Sequence, residues 1–261
     1  MTVHFILGQP GSGKDTRASI VGKVLDVPLL RFGTVFSDYT KRLSFPKDHD
    51  DLVELLGQFE DAEGGLVRDK ILDRLDKFGL VKDNQSSEQE LTNAFLIAYF
   101  GWFKTGLIPN EVTNDIFQTE FQNTVSQSND LLLTSFPYTI SQYECLTNCL
   151  DETQQRLGYV FLMDELSPTD LLARMTNRLS CEDCGEVIDD KDVPSLCECG
   201  GSLSYRRDKE ISAKKIEAYN QSTKPLIELL EASDVSIITL RSDYHSPDAG
   251  VIKQEIHNKI G

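Results

Sequence analysis

Apolar residues along the chain fall into short strand-length runs, and between them lie segments with helical spacing. Val3-His4-Phe5-Ile6-Leu7 is one run, ending in a glycine-rich turn. From Asp15 to Asp26 the apolar positions Ala18, Val21, Val24 and Leu25 recur at helical intervals. Val27 to Leu30, Leu131 to Leu133, Tyr159 to Met163 and Val235 to Leu240 read as four further strands. Helices are expected over Ile140–Leu150, after Ser167-Pro168, over Ser212–Glu231 and over Asp248–Ile260. Residues 38–100 are polar and charged, with helical periodicity over Leu52–Phe59 and Leu66–Phe78, and Asn84 to Glu88 reads as a turn. Residues 180–208 are rich in cysteine and glycine and form a separate small module. Alternating strands and helices predict an α/β fold, a three-layer α/β/α core around a five-stranded parallel sheet.

Composition narrows what such a fold could serve. The chain has 261 residues, 39 % hydrophobic and 26 % charged, with a net charge of −16. A surface that acidic repels a nucleic-acid backbone, so no nucleic-acid partner is expected, and a polyanionic ligand would need a local basic cluster. No apolar run is long enough for a bilayer, and residues 1–7 lack the pattern of a signal peptide. The expectation is a cytoplasmic monomer whose partners are small molecules. Its six cysteines then read as thiols or metal ligands rather than disulfides.

Gly8-Gln9-Pro10-Gly11-Ser12-Gly13-Lys14 follows a strand and opens a helix, the context that marks a phosphate-binding P-loop. Glycines at these places let backbone N–H groups approach phosphate oxygens, and the helix N-terminus adds partial positive charge. Gly11, Ser12, Gly13, Lys14, Asp15 and Thr16 are the expected phosphate-binding residues, with Lys14 supplying a cation for the terminal phosphates. Asp15 stands where many P-loops place a metal-binding hydroxyl, and Thr16 follows it. The Asp15 side chain is expected to point outward, leaving its N–H toward the ligand.

The small module carries Cys181-x2-Cys184 and Cys197-x-Cys199, twelve residues apart, with Gly185 after one pair and Gly200-Gly201 after the other. Four thiolates on two loops suit tetrahedral zinc; incidental cysteines in a metal-free module are the alternative. Cys145 and Cys149, four apart, read as buried helix residues.

Lysine, one intervening residue and threonine after Gly-x-Pro-Gly-x-Gly resemble the adenylate kinase family. Further segments resemble it in the same order: Gly106 to Glu111; Phe136-Pro137 with Thr139 and Gln142; Arg174 and Arg178; Arg206 and Asp208; and Tyr219, Thr223 and Pro225 to Ile227. The likeness covers nearly the whole chain except residues 38–100. It implies a P-loop core over residues 1–37, 105–171 and 209–261. It also implies a helical monophosphate-binding lobe over 38–104, enlarged by an insertion, and a small zinc-bearing lid over 172–208. The implied reaction is reversible phosphoryl transfer from magnesium-bound ATP to AMP. Lys14, Arg174, Arg178, Arg206 and Asp208 would be catalytic, and Gly33, Ile108, Ser135, Phe136 and Gln142 would hold the acceptor, Gln142 reading its base.

The chain departs from the family on the acceptor side. Thr134 stands where the motif before Gly-Phe-Pro-Arg has a metal-orienting aspartate, and Tyr138 where it has arginine. Ser37 and Lys215 also stand near positions where the family has arginines, and Lys209 where it has a second aspartate. A nucleotide binder with impaired catalysis is the rival reading. Arg31, Lys41, Arg42, Arg68 and Arg74 are possible substitutes for the lost cations, although an ordinary solvated face suits each of them better.

Overall fold

The computed structural model describes residues 1–46, 49–82, 85–104, 106–125, 130–176, 178–181, 187–189, 196–197, 199–205, 209–242 and 249–260. They divide into two compact units, one of residues 1–30 with 128–261 and one of residues 31–127.

The first unit is built on a parallel sheet. Its strands are β1 (Thr2–Leu7), β2 (Leu29–Arg31), β3 (Asp130–Thr134), β4 (Arg156–Met163) and β8 (Ile237–Leu240), in the order β2-β3-β1-β4-β8. All five runs read as strands in the sequence are therefore strands. β1 lies at the centre, with Phe5 opposite Leu133 on one side and Val160 on the other. Val3, Phe5, Ile6, Leu131, Leu132, Leu133, Val160 and Phe161 are all buried, as continuous apolar strands covered on both faces must be. Helices α1 (Lys14–Leu25) and α11 (Ala249–Ile260) pack together and close one face. There Ala18 and Val21 meet Ile6, Leu132, Phe161, Ile252 and Ile256 in one core cluster. Helix α7 (Ile140–Glu152) packs on β4 and on α10 (Lys224–Glu231), and it buries Leu146 and Leu150. The remaining helices of this unit are α8 (Pro168–Thr176) and α9 (Lys209–Ala218).

The helix expected over Ser212–Glu231 forms in two parts. α9 and α10 are joined by a π-helical segment, Tyr219–Thr223. Pro225 at the start of α10 has no N–H to donate to the preceding turn, which accounts for the irregular register. The cysteine-rich module contains a three-stranded antiparallel sheet, with β5 (Arg178–Cys181) between β6 (Val187–Asp189) and β7 (Leu203–Tyr205).

The second unit is helical: α2 (Phe32–Thr40), α3 (His49–Gly57), α4 (Ile71–Lys77), α5 (Glu88–Ala98) and α6 (Asn110–Val125). Its core is aromatic. Phe59 packs on Phe95 with ring centroids 4.2 Å apart, and Phe32 meets Phe117 at 5.8 Å. Helix α5 starts with a capping box in which Ser87 and Glu90 satisfy each other's backbone N–H groups. By compactness the division falls at residues 31 and 127, so α2 and α6 both belong to the helical unit.

Candidate functional site

The turn between β1 and α1 takes the shape that its glycines permit. Gly11 and Gly13 both have φ of 84°, in the left-handed region that a side chain would strain. Gly8 is glycine for a different reason: a Cβ there would lie 2.7 Å from Met163 and 2.8 Å from the Ser12 hydroxyl. The Ser12 N–H donates to the Gln9 carbonyl at 3.1 Å, and the Gln9 side-chain oxygen accepts from the Leu166 N–H at 2.7 Å. The second bond ties the loop to the segment after β4. Lys14 begins α1 and is buried, whereas Thr16 is exposed.

The end of β3 forms a second wall beside the loop. Thr134 is fully buried, and its hydroxyl donates to Asp15 Oδ1 at 2.8 Å. The Asp15 side chain is exposed, in keeping with the outward-pointing expectation, and one of its oxygens meets β3 at a residue 119 positions away. Ser135 has φ of 65°, an uncommon state for a residue with a Cβ. Phe136 is buried behind it.

Tyr138 follows. Its N–H donates to Gln142 Oε1 at 2.7 Å, and its carbonyl accepts from the Thr223 hydroxyl at 3.0 Å. Thr139 caps α7 by accepting from the Gln142 N–H. Gln142 is thus a buried member of the α7 cap, with its side-chain oxygen holding the Tyr138 backbone. The Lys14 ammonium lies 5.7 Å from the centre of the Tyr138 ring, a cation–π distance. Tyr219 is close to the same group: burial first, then the charge of Glu165, pushes its phenol well above the usual range, while Lys14 pulls it down.

The basic residues around the loop meet the chain end of β8. Arg17 Nε donates to the Arg241 carbonyl at 3.3 Å, and Arg174 Nη1, from the last turn of α8, donates to the Ser242 carbonyl at 3.2 Å. The Ser242 hydroxyl donates to the Asp164 carbonyl at 2.6 Å and holds that turn in place. α8 itself begins as the sequence suggests, with Ser167 Oγ accepting from the Asp170 N–H ahead of the helix. Arg178 begins β5. Arg206 and Asp208 lie outside the described residues, as does Cys184.

Cys181, Cys197 and Cys199 converge, their sulfur atoms all within 4.8 Å of one another and the Cys181 and Cys199 sulfurs 3.4 Å apart. Thiolates on a tetrahedral zinc at about 2.3 Å stand about 3.8 Å apart, so the spacing of the three sulfurs is compatible with such a centre. The second pair sits on a tight turn. The Gly200 N–H donates to the Cys197 carbonyl at 2.8 Å, the Cys197 N–H donates to the Gly201 carbonyl at 3.0 Å, and Gly200 takes φ of 86°. The one-residue spacing therefore still returns Cys199 toward Cys197. Cys145 and Cys149 are buried on α7, as expected of helix residues.

Gly33 and Ile108 belong to the second unit, and Ser135, Phe136 and Gln142 to the first. A Cβ at Gly33 would meet nothing within 4 Å. The cations of the second unit are engaged within it. Lys41 pairs with Asp38 at 2.7 Å; Arg42 pairs with Glu90 at 3.1 Å and stacks on Tyr39; Arg68 pairs with Glu111. Lys104 pairs with Glu60, which also accepts from the Tyr99 hydroxyl at 2.5 Å. Arg74 lies over the Phe59 ring at 5.9 Å. The exposed pairs of Lys41 and Arg68 suit the solvated-face reading, whereas Arg74, with a buried Nη1, does not.

No protein-family model matches the chain. It is similar to the adenylate kinase of Caldicellulosiruptor bescii, 26 % identical over 240 residues that cover 89 % of this chain and 88 % of that protein. An adenylate kinase of a Thermoanaerobacter strain is 27 % identical, covering 85 % of this chain and 83 % of that one. The adenylate kinase of Rickettsia africae is 25 % identical, covering 88 % and 87 %. The resemblance to adenylate kinases therefore extends along most of the chain, beyond the P-loop. Among the described residues, no helix is long and apolar enough to cross a membrane.

Proposed function

We propose that this protein is a nucleoside monophosphate kinase of adenylate kinase type, which transfers the terminal phosphoryl group of magnesium-bound ATP reversibly to AMP, giving two ADP. The observation that carries the reading is the P-loop itself. Its glycines Gly11 and Gly13 take the left-handed backbone that such a loop needs, and Lys14 stands buried at the start of α1. A phosphate oxygen of AMP attacks the γ-phosphorus as the bond to the β–γ bridging oxygen breaks, and the charge stays on phosphate oxygens throughout. The protein's task is to position the groups and neutralise that charge. Lys14 and the loop amides hold the donor phosphates, and Arg174, Arg178 and Arg206 compensate charge on the transferring group. Asp208 orders the closed lid, and Gln142 reads the acceptor base once its side chain, which in this structure is buried with its oxygen on the Tyr138 N–H, turns to the acceptor. Magnesium bound with ATP would spread the phosphate charge. Cys181, Cys184, Cys197 and Cys199 hold a structural zinc ion in a lid over residues 172–208, and residues 38–104 form the acceptor lobe. The protein acts as a cytoplasmic monomer on free nucleotides.

The test is a coupled assay of ADP formation from Mg·ATP and each nucleoside monophosphate, with metal content measured on the same preparation. ADP formation with AMP, and one zinc ion per chain, is the expected result. Folded, zinc-loaded protein that forms no ADP with any acceptor would overturn the enzyme reading.

One observation favours a second reading, a nucleotide binder that does not turn over. Tyr138 stands at the place of the motif's arginine, and its ring faces the Lys14 ammonium rather than supplying a second cation. That reading is distinguished by ATP-dependent thermal stabilisation without ADP formation.

A further inference from the structure

A carboxylate stands at the mouth of the phosphate loop, and phosphate binding alone gives it no role. Asp15 is the second residue of α1, in the first turn, where the helix and loop N–H groups favour anions. A fixed negative side chain there repels a polyphosphate unless a cation lies between them. Asp15 is fixed. Its Oδ1 accepts the Thr134 hydroxyl proton at 2.8 Å, and Thr134 is fully buried at the end of β3. The next residue, Ser135, is held at φ of 65°, a strained state of the kind that persists where the backbone must place a group. Among the described residues no cationic side chain pairs with the Asp15 carboxylate. One strand end and one helix start thus hold an exposed carboxylate directly after the loop lysine, next to the exposed Thr16.

We propose that Asp15, positioned by Thr134, is the carboxylate that orients the divalent cation carried by the bound nucleoside triphosphate. This rests on the reading of the loop as an ATP site. Oxygen ligands suit magnesium, which keeps several of its waters, and a carboxylate can hold it directly or through one of them. Thr134 is a positioning residue: its single hydroxyl proton fixes one carboxylate oxygen and leaves the other to the metal.

Binding of a fluorescent ATP analogue to the full chain tests this, measured in magnesium-free buffer and again with excess magnesium. Bound manganese, followed by electron paramagnetic resonance, gives a second readout that needs no turnover. The wild-type protein is expected to bind the metal complex at least about tenfold more tightly than free ATP, as a charge-assisted contact allows. Asp15→Asn should remove most of that ratio while strengthening binding of free ATP, because the repulsion is gone. Thr134→Val should lower the ratio less. The exchange Asp15→Gly with Thr134→Asp places the carboxylate on the other side of the same hydrogen bond and should restore it. An unchanged ratio in folded Asp15→Asn would overturn the proposal and leave the ATP site standing. Failure of the folded wild-type protein to bind ATP in either buffer would overturn both.

Discussion

The basic residues near the phosphate loop and those of the helical unit look alike in the sequence, but the structure uses them differently. Arg17 and Arg174 donate to backbone carbonyls at the end of β8, and Lys14 lies over the ring of Tyr138. In the helical unit Lys41, Arg42, Arg68 and Lys104 each meet a carboxylate. A carbonyl or an aromatic face orients a cation and keeps its full charge. A carboxylate cancels most of that charge at a distance. Counting lysines and arginines therefore says little about where an anion binds. Around the phosphate loop Lys14, Arg17 and Arg174 lie against a ring or backbone carbonyls, whereas Lys41, Arg42, Arg68 and Lys104 of the helical unit lie against acids.

The largest test of this contrast is Lys14→Met. If Lys14 serves the transferring phosphate, phosphoryl transfer should fall by about 10²–10³-fold, the loss seen when one preorganised stabilising group is removed. Denaturant unfolding without nucleotide should change little. A similar loss from a second-unit change such as Arg42→Met would break the comparison. Next in size is Tyr138→Arg, which adds a cation at the place of the motif's arginine and removes the ring facing Lys14. It should raise the rate at low acceptor concentration about tenfold or more, because arginine grips phosphate bidentately. No gain in a steady-state assay would show that this position no longer faces the acceptor.

Ser135→Gly should stabilise the protein by about 1 kcal/mol in equilibrium unfolding, since glycine reaches positive φ without Cβ strain. A loss of stability would mean that the serine side chain does more than endure the turn. A weaker effect concerns His4 in the central strand. Its Nδ1 accepts from the Tyr159 N–H at 2.9 Å, and burial lowers its pKa below the ordinary 6.5 despite the charge of Asp130. Below pH 6.5 the unfolded chain binds the proton more readily than the folded one, so stability should fall as pH drops toward the lowered value. Denaturant curves at pH 7.5 and 5.5, compared with His4→Gln, would isolate the contribution. The smallest effect belongs to the exposed Arg68–Glu111 pair, more than half exposed on both sides. Arg68→Ala should shift stability by no more than about 0.5 kcal/mol, because water and salt screen such pairs.

Much of the first unit was legible in advance. Buried parallel strands are continuous apolar runs, so Val3–Leu7, Leu131–Leu133 and Tyr159–Met163 were visible without any partner. The loop from Gly8 to Lys14 was legible because the strand, the glycines and the lysine are adjacent in the chain. The helical unit was harder. Two of its helices, α3 and α4, were visible by period, but α2, α5 and α6 were not, and its edges at residues 31 and 127 depend on which side chains pack together. The cysteine module was legible as pairs by spacing; that Cys181 meets Cys199 across it is a matter of folding.

The sequence by itself determined the parallel sheet, the phosphate loop and the set of thiols, because each depends on neighbours within a few residues. The tertiary structure alone decided the partner of Asp15, the ring beneath Lys14 and the strained turn at Ser135. Those features join α1 to the end of β3 and to the start of α7, across more than a hundred residues of chain. No local pattern encodes such a contact. It exists because sheet packing sets two chain ends side by side, where the buried Thr134 hydroxyl must find a partner and the exposed Asp15 carboxylate supplies it.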